Sequence, residues 1–257
     1  MSDAKFDRRD FIKLTAVGAA VAAGTRAITH ANASSGVPRG DYQWVMVIDQ
    51  SKCTGCGYCT QACCAHNDVA PDMAWNEVQV SGSVGDHITY IARPCMHCER
   101  APCVEVCPVK ASYHRDDGIV MMDYDRCIGC RYCQVACPYE ARKFNWKAYR
   151  EPNPAVPEWG QPEIARRPRG VPEKCSFCVQ RIDRGLELAL TPGVDPDATP
   201  ACCVVCPTGA RVFGDLNDPN SAVSRILREH ASYRLREDLG TAPRVYYLPA
   251  DSAEMEG

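Results

Sequence analysis

Sixteen cysteines fall into four spaced quartets: Cys53, Cys56, Cys59 and Cys63; Cys95, Cys98, Cys103 and Cys107; Cys127, Cys130, Cys133 and Cys137; and Cys175, Cys178, Cys202 and Cys206. The first and third follow C-x2-C-x2-C-x3-C, a run that holds cubane iron–sulfur clusters. Three closely spaced cysteines wrap a tight loop around one cluster. The closing cysteine is expected past the turn, at the start of a helix, pointing away to the other cluster of a pair. Paired quartets should therefore exchange their closing cysteines. Sixteen thiolates suffice for four [4Fe–4S] clusters, and the chemistry they offer is electron transfer.

Competing chemistries fit less well. Zinc ribbons use C-x2-C pairs but rarely a third cysteine at the same spacing. Repeated C-x2-C-x2-C is poor disulfide geometry, because neighbouring thiols compete for partners. Cys64 and Cys203 are left over, each beside a quartet member, and read as small buried thiols packed next to a cluster.

The elements that must position these thiols come next. C-P-x-x-A recurs at Cys107-Pro108 to Ala111, Cys137-Pro138 to Ala141 and Cys206-Pro207 to Ala210. This is an internal repeat in which proline turns the chain away from the cluster. Trp44–Asp49 and His87–Ala92 read as strands leading into the first and second quartets, and Ile119–Met122 as a strand leading into the third after the turn signal Asp117-Gly118. Residues 60–67 and 179–190 read as helices. Apolar residues at 223, 226, 227, 235 and 239 predict a helix over 221–239. Arg244–Leu248 reads as a final strand, and the proline-rich stretch 147–172 as a surface excursion.

Export is expected from the first 33 residues. Asp7-Arg8-Arg9-Asp10-Phe11-Ile12-Lys13 precedes an apolar stretch from Leu14 to Ala23 and the small-residue segment Ala31-Asn32-Ala33. The layout is that of a twin-arginine signal, although Asp7 stands where serine or threonine is usual. That route carries folded proteins, which suits centres assembled in a reducing cytoplasm. No run after residue 33 approaches the about 20 apolar residues of a membrane span. A net charge of -3 does not favour nucleic acid as a partner. No phosphate loop, nucleophile elbow or H-E-x-x-H motif is present, so no catalytic residues are expected.

The order of the quartets, the C-x2-C-x4-C-x3-C-P spacing of the second and the split fourth resemble the electron-transfer subunits of complex iron–sulfur molybdoenzymes. These serve polysulfide, thiosulfate, tetrathionate and dimethyl-sulfoxide reductases. The exported cluster subunit of the sulfite-reduction-linked transmembrane complex of sulfur bacteria is similar too. Cys127-Ile128-Gly129-Cys130-Arg131-Tyr132-Cys133, Glu173-Lys174-Cys175-Ser176-Phe177-Cys178 and Gly214-Asp215-Leu216-Asn217-Asp218-Pro219 carry the likeness.

The resemblance implies an α+β fold of two ferredoxin-like dicluster units, one inserted in the other. Residues 44–92 plus 173–214 would form one and 93–146 the other, within a domain spanning 34–257 whose tail, 215–257, docks partners. It implies four ligand sets: Cys53, Cys56, Cys59 and Cys206; Cys63, Cys175, Cys178 and Cys202; Cys95, Cys98, Cys103 and Cys137; Cys107, Cys127, Cys130 and Cys133. It also implies a polytopic, quinone-reactive membrane subunit at one end of a cluster wire and a molybdopterin catalytic subunit at the other. A molybdenum-free complex with cytochrome partners and a free periplasmic polyferredoxin are the alternatives. Among non-cysteine residues, His97 reads as packing, Tyr58 and Tyr132 as rings over clusters, and Arg142, Lys143 and Arg211 either as solvated charges or as charges that tune potential.

Overall fold

Trp44–Asp49 forms β1, buried at every position because it is the middle strand of the only three-stranded sheet among the described residues. A central strand covered on both faces reads as a continuous apolar run, and W-V-M-V-I-D is one. Trp44, Met46 and Ile48 face the main core, while Val45 and Val47 face a smaller one with Val223 and Leu248. The computed structural model describes residues 40–250. The predicted export signal lies outside these residues, and the predicted docking tail lies partly outside.

Further along the chain come α1 (Tyr58–His66), β2 (Glu77–Val84), β3 (His87–Arg93), α2 (Pro102–Glu105), β4 (Ser112–His114), β5 (Val120–Met122), α3 (Tyr132–Val135), β6 (Lys143–Phe144), β7 (Pro172–Glu173), α4 (Val179–Glu187), α5 (Ala201–Val204), β8 (Arg211–Asp215), α6 (Ala222–Glu229) and β9 (Val245–Leu248). β1 pairs antiparallel with β8 and parallel with β9. The other sheets are the hairpins β2–β3 and β4–β5 and the short pair β6–β7. This is mixed α and β built from small pieces, arranged as entries and exits of cysteine loops. β1 leads into the first quartet, β3 into the second, β5 into the third and β7 into the fourth.

Two expectations need correction. The helix expected over 221–239 ends at His230, which is extended (φ -124°, ψ 144°). Tyr233 then bridges to Tyr247 of β9, and the apolar residues 235 and 239 are reached by irregular chain and a 3₁₀ turn over Glu237–Leu239. Sheet pairing won over helical period. The closing cysteines also do not begin helices. The third cysteine of each run, Cys59 or Cys133, sits in the first turn of α1 or α3; Cys63 lies a turn later, and Cys137 follows the end of α3.

The excursion over 147–172 is pinned to the body by side chains. Asn153 Nδ2 donates to Cys64 O at 2.8 Å, and Arg166 pairs with Asp68 at 2.8 Å. Glu163 meets His66 Nδ1 at 2.8 Å and the Arg181 guanidinium at 2.5 Å. Burial pushes the Glu163 carboxyl up, but the His66 hydrogen bond and the Arg181 charge outweigh it and hold the group below its ordinary 4.5. A depressed carboxyl stabilises the fold above its unfolded pKa, and that stability is lost as pH falls through the lower folded value. On acidification below about pH 4.5, pepsin is expected to nick residues 147–172 before circular dichroism reports global unfolding. Glu163→Gln should already be nicked at higher pH; identical cleavage in both proteins across the range would remove the clamp.

Candidate metal centres

The backbone repeats itself at all four quartets. The second residue after the opening cysteine has positive φ each time: Gly55 at 73°, His97 at 44°, Gly129 at 70° and Phe177 at 55°. At three of them the N–H faces back to the opening sulfur: Gly129 donates to Cys127 Sγ and Phe177 to Cys175 Sγ, each at 3.4 Å, and the Gly55 backbone serves Cys53 likewise. Such N–H···S bonds are levers on cluster potential. At two positions only glycine fits. A Cβ on Gly55 would lie 2.5 Å from the Tyr90 ring, and one on Gly129 2.3 Å from Gly170 O. His97 and Phe177 place rings there instead, stacked on each other with centroids 3.8 Å apart.

A second repeat follows the closing cysteines. Lys110, Glu140 and Gly209 have φ of 53°, 55° and 64°, each just before the buried Ala111, Ala141 or Ala210. The residue after the alanine then turns inward. Ser112 N–H donates to Cys107 Sγ at 3.4 Å, and Arg142 donates to Cys103 Sγ at 3.1 Å and to the Ser112 hydroxyl at 2.5 Å. Arg211 donates to Asn76 Oδ1 at 2.6 Å, and Asn76 Nδ2 donates to Cys59 Sγ at 3.3 Å. Arg142 and Arg211 are thus buried, not solvated charges. Lys143 pairs with Glu77 at the surface.

The thiols gather into four groups. Cys53, Cys56, Cys59 and Cys206 line one hollow. Cys63 has Cys175, Cys178 and Cys202 as its charge neighbours, and Cys98 has Cys95, Cys103 and Cys137. Cys133 neighbours Cys127 and Cys107, and Cys130 lies exposed in their loop. Cys64 and Cys203 pack at the edge of the main core. Burial, then the neighbouring thiols, pushes the Cys63 and Cys175 thiols up, and Cys98 to about 12. Crowded thiols that resist ionising one another are stable as thiolates once a metal displaces the protons. Cys202 goes the other way: the Cys203 thiol hydrogen-bonds it and, against burial, helps Arg211 hold it below the usual range.

The groups form a succession. Arg211 acts on Cys59 and Cys202, joining the first to the second. Cys175 neighbours Cys95, joining the second to the third. Arg142 acts on Cys103 and Cys133, joining the third to the fourth. The exposed cysteines, Cys56 and Cys130, belong to the two end groups, and the second group is wholly buried. His97 is fully buried and accepts the Val120 N–H on Nδ1 at 3.1 Å, the packing role expected of it. Tyr58 and Tyr132 are exposed, so neither ring is sealed over a centre.

The donor set fits iron–sulfur clusters. All eighteen cysteines are free of disulfides. Among the described residues no three His, Cys, Asp or Glu side chains converge as they would on one metal ion. All-thiol groups set round wider spaces suit a multi-iron cluster better than zinc. Among the described residues, too, no helix is long and apolar enough to cross a membrane.

Profiles for a "4Fe-4S dicluster domain" match residues 87–151 and 126–210, and one for a "4Fe-4S binding domain" matches residues 46–63. The chain is 45% identical to the putative iron–sulfur subunit of a dimethyl sulfoxide reductase from Halobacterium salinarum, over 79% of this chain and 78% of that one. It is 40% identical to the Hdr-like menaquinol oxidoreductase iron–sulfur subunit 1 of Archaeoglobus fulgidus, over 93% and 97%. It is 36% identical to one of the polysulfide reductase polypeptides of Wolinella succinogenes, over 79% and 93%. With these relatives, its dicluster domains and its four thiol groups, the protein belongs to the iron–sulfur electron-transfer subunits of the complex iron–sulfur molybdoenzyme family.

Proposed function

We propose that the chain relays electrons through four [4Fe–4S] clusters between two partner subunits of a respiratory oxidoreductase. The observation that carries this is the succession of four thiol groups with one exposed cysteine at each end, Cys56 and Cys130. Each cluster, when bound, takes up and gives away an electron without bond chemistry on a substrate. The chain's part is to hold four thiolates per centre: Cys53, Cys56, Cys59 and Cys206; Cys63, Cys175, Cys178 and Cys202; Cys95, Cys98, Cys103 and Cys137; Cys107, Cys127, Cys130 and Cys133. It donates N–H groups to their sulfurs and keeps water from the middle of the series.

The end groups are docking faces. Around Cys130, Ile128, Tyr132, Val135 and Trp146 are between 59% and 82% exposed, an apolar surface suited to a permanent partner. At the other end Tyr58 packs on Trp159 beside Cys56. One face serves a quinone-reactive membrane subunit and the other a molybdopterin catalytic subunit. The complex works on the periplasmic side after twin-arginine export, with the membrane partner holding this chain in place. A molybdenum-free complex with cytochrome partners is the second reading, favoured by the near full-length match to a relative named as an Hdr-like menaquinol oxidoreductase subunit.

Metal analysis of the assembly, purified anaerobically from detergent-solubilised membranes through a tag on this chain, tests both. About sixteen irons per chain with molybdenum or tungsten is the expected result. Iron with haem and no molybdenum selects the second reading. A partner-free chain with the same iron overturns the subunit role and leaves a soluble carrier.

A further inference from the structure

Five arginine and lysine side chains are buried among the described residues: Arg142, Arg167, Lys174, Arg181 and Arg211. Two are neutralised by carboxylates, Arg167 by Glu173 at 2.9 Å and Arg181 by Glu163 at 2.5 Å. The other three have no carboxylate partner. Arg142 donates to Met122 Sδ, Cys103 Sγ and Ser112 Oγ, and Arg211 to Asn76 Oδ1. Lys174 Nζ donates to Val120 O and Cys175 O. A buried cation without a counter-charge is costly, so these three require anions from elsewhere. They are also the three that lie between thiol groups: Arg211 between the first and second, Lys174 between Cys175 of the second and Cys95 and Cys103 of the third, and Arg142 between the third and fourth. Each gap has its own cation, and Arg142 also acts on Lys174 and Cys95.

The central gap differs from the outer two. Its cation is a lysine, as deeply buried as Arg142. Its two acceptors come from opposite sides, Val120 in the strand entering the third quartet and Cys175 in the fourth. The His97–Phe177 stack closes the same gap. Nothing there lets water screen a charge.

We propose that Lys174 is the positioning charge of the central gap, raising the reduction potentials of the second and third clusters together and so keeping the buried middle of the relay open to electrons. The inference rests on the relay reading above. A centre gains one negative charge on reduction, and a fixed ammonium in a dry site favours the more negative form. The outer gaps have their own arginines, so the first and fourth clusters depend little on Lys174.

The test is an EPR-monitored redox titration of the intact, anaerobically purified assembly carrying Lys174→Met. Two of the four potentials are expected to fall, with the one-electron reduction equilibrium at least tenfold less favourable, about 59 mV. The other two should move far less, and Lys174→Arg should restore the pair. Full iron with four unmoved potentials overturns the proposal, as does an equal shift of all four, which would report a general distortion. If Lys174→Met does not load iron, Lys174→Gln takes its place, since it keeps a donor for the carbonyls. Failure of both to load while Lys174→Arg loads would assign the residue to assembly and overturn a tuning role. Absence of four one-electron centres in the unaltered protein is a different failure, that of the relay reading itself.

Discussion

Stripping iron from the purified chain is expected to unfold it. The main core contains Cys59, Cys63, Cys95, Cys98, Cys103, Cys133, Cys175 and Cys202, so removing the clusters empties the core as well as the sites. Little else holds those regions. α2, α3 and α5 are four residues each, far below the length at which a helix is stable alone. The β4–β5 and β6–β7 pairs contribute three and two residues per strand, too little for independent stability. Arg142, Lys174 and Arg211 would at the same time lose their negative neighbours and remain buried. Binding of a structural metal ion is worth about 10–16 kcal/mol in small zinc domains, against a net domain stability of about 5–15 kcal/mol. Oxidation and chelation should therefore abolish the far-ultraviolet signal of the sheets and expose residues 93–146 to protease. A chain with less than one iron and an unchanged protease map would show a core that stands without metal.

The cysteine pattern was legible because ligation is a local matter of spacing, which a single chain displays. β1 was legible for a related reason: a strand buried on both faces carries no polar residue until its end. The outer hairpin was harder. β2 went unseen because E-V-Q-V-S-G-S-V looks like a loop. The alternation of Val78 and Val80 is broken by a bulge between Val80 and Gly82, and six of its eight residues are exposed. The equivalence of His97 and Phe177 to two glycines was hidden as well, since residue type disguises a shared backbone angle. Burial of charge was least legible. Arg142 and Arg211 stand five residues after closing cysteines, where solvent and core are equally compatible with the local sequence. Lys174 lies within the E-K-C-S-F-C motif with nothing to mark it as interior. Only the third dimension, in which Val120 and Cys175 close over its amine, distinguishes it.

Arg167→Met is expected to destabilise the folded protein by about 3–5 kcal/mol, the cost of leaving one member of a buried ion pair without the other. Arg167 is 7% exposed and Glu173 0%. The guanidinium donates to Glu173 Oε2 at 2.9 Å and to the carbonyls of Asn67, Asp68 and Ala165 at 2.6, 3.1 and 3.0 Å, and it lies 4.6 Å from the Trp75 ring centroid. Glu173 also accepts from Trp75 Nε1 at 3.1 Å and Asn145 Nδ2 at 3.2 Å. Burial already pushes the Glu173 carboxyl up, with Arg167 the chief opposing influence. Without the arginine the carboxyl takes up a proton at higher pH and the neutral acid is left with partners arranged for an anion. The consequence reaches the centres because Glu173 immediately precedes Lys174 and Cys175, and because Asn67, whose carbonyl Arg167 holds, donates to Cys63 Sγ at 3.8 Å and Cys178 Sγ at 3.5 Å. Chemical denaturation of the iron-loaded protein should show the lower midpoint, and iron should be lost first from the second group. Glu173→Gln with Arg167→Met should recover part of the loss, since the double variant buries no charge there; a single variant with an unshifted midpoint would place the stability of this junction in the clusters alone.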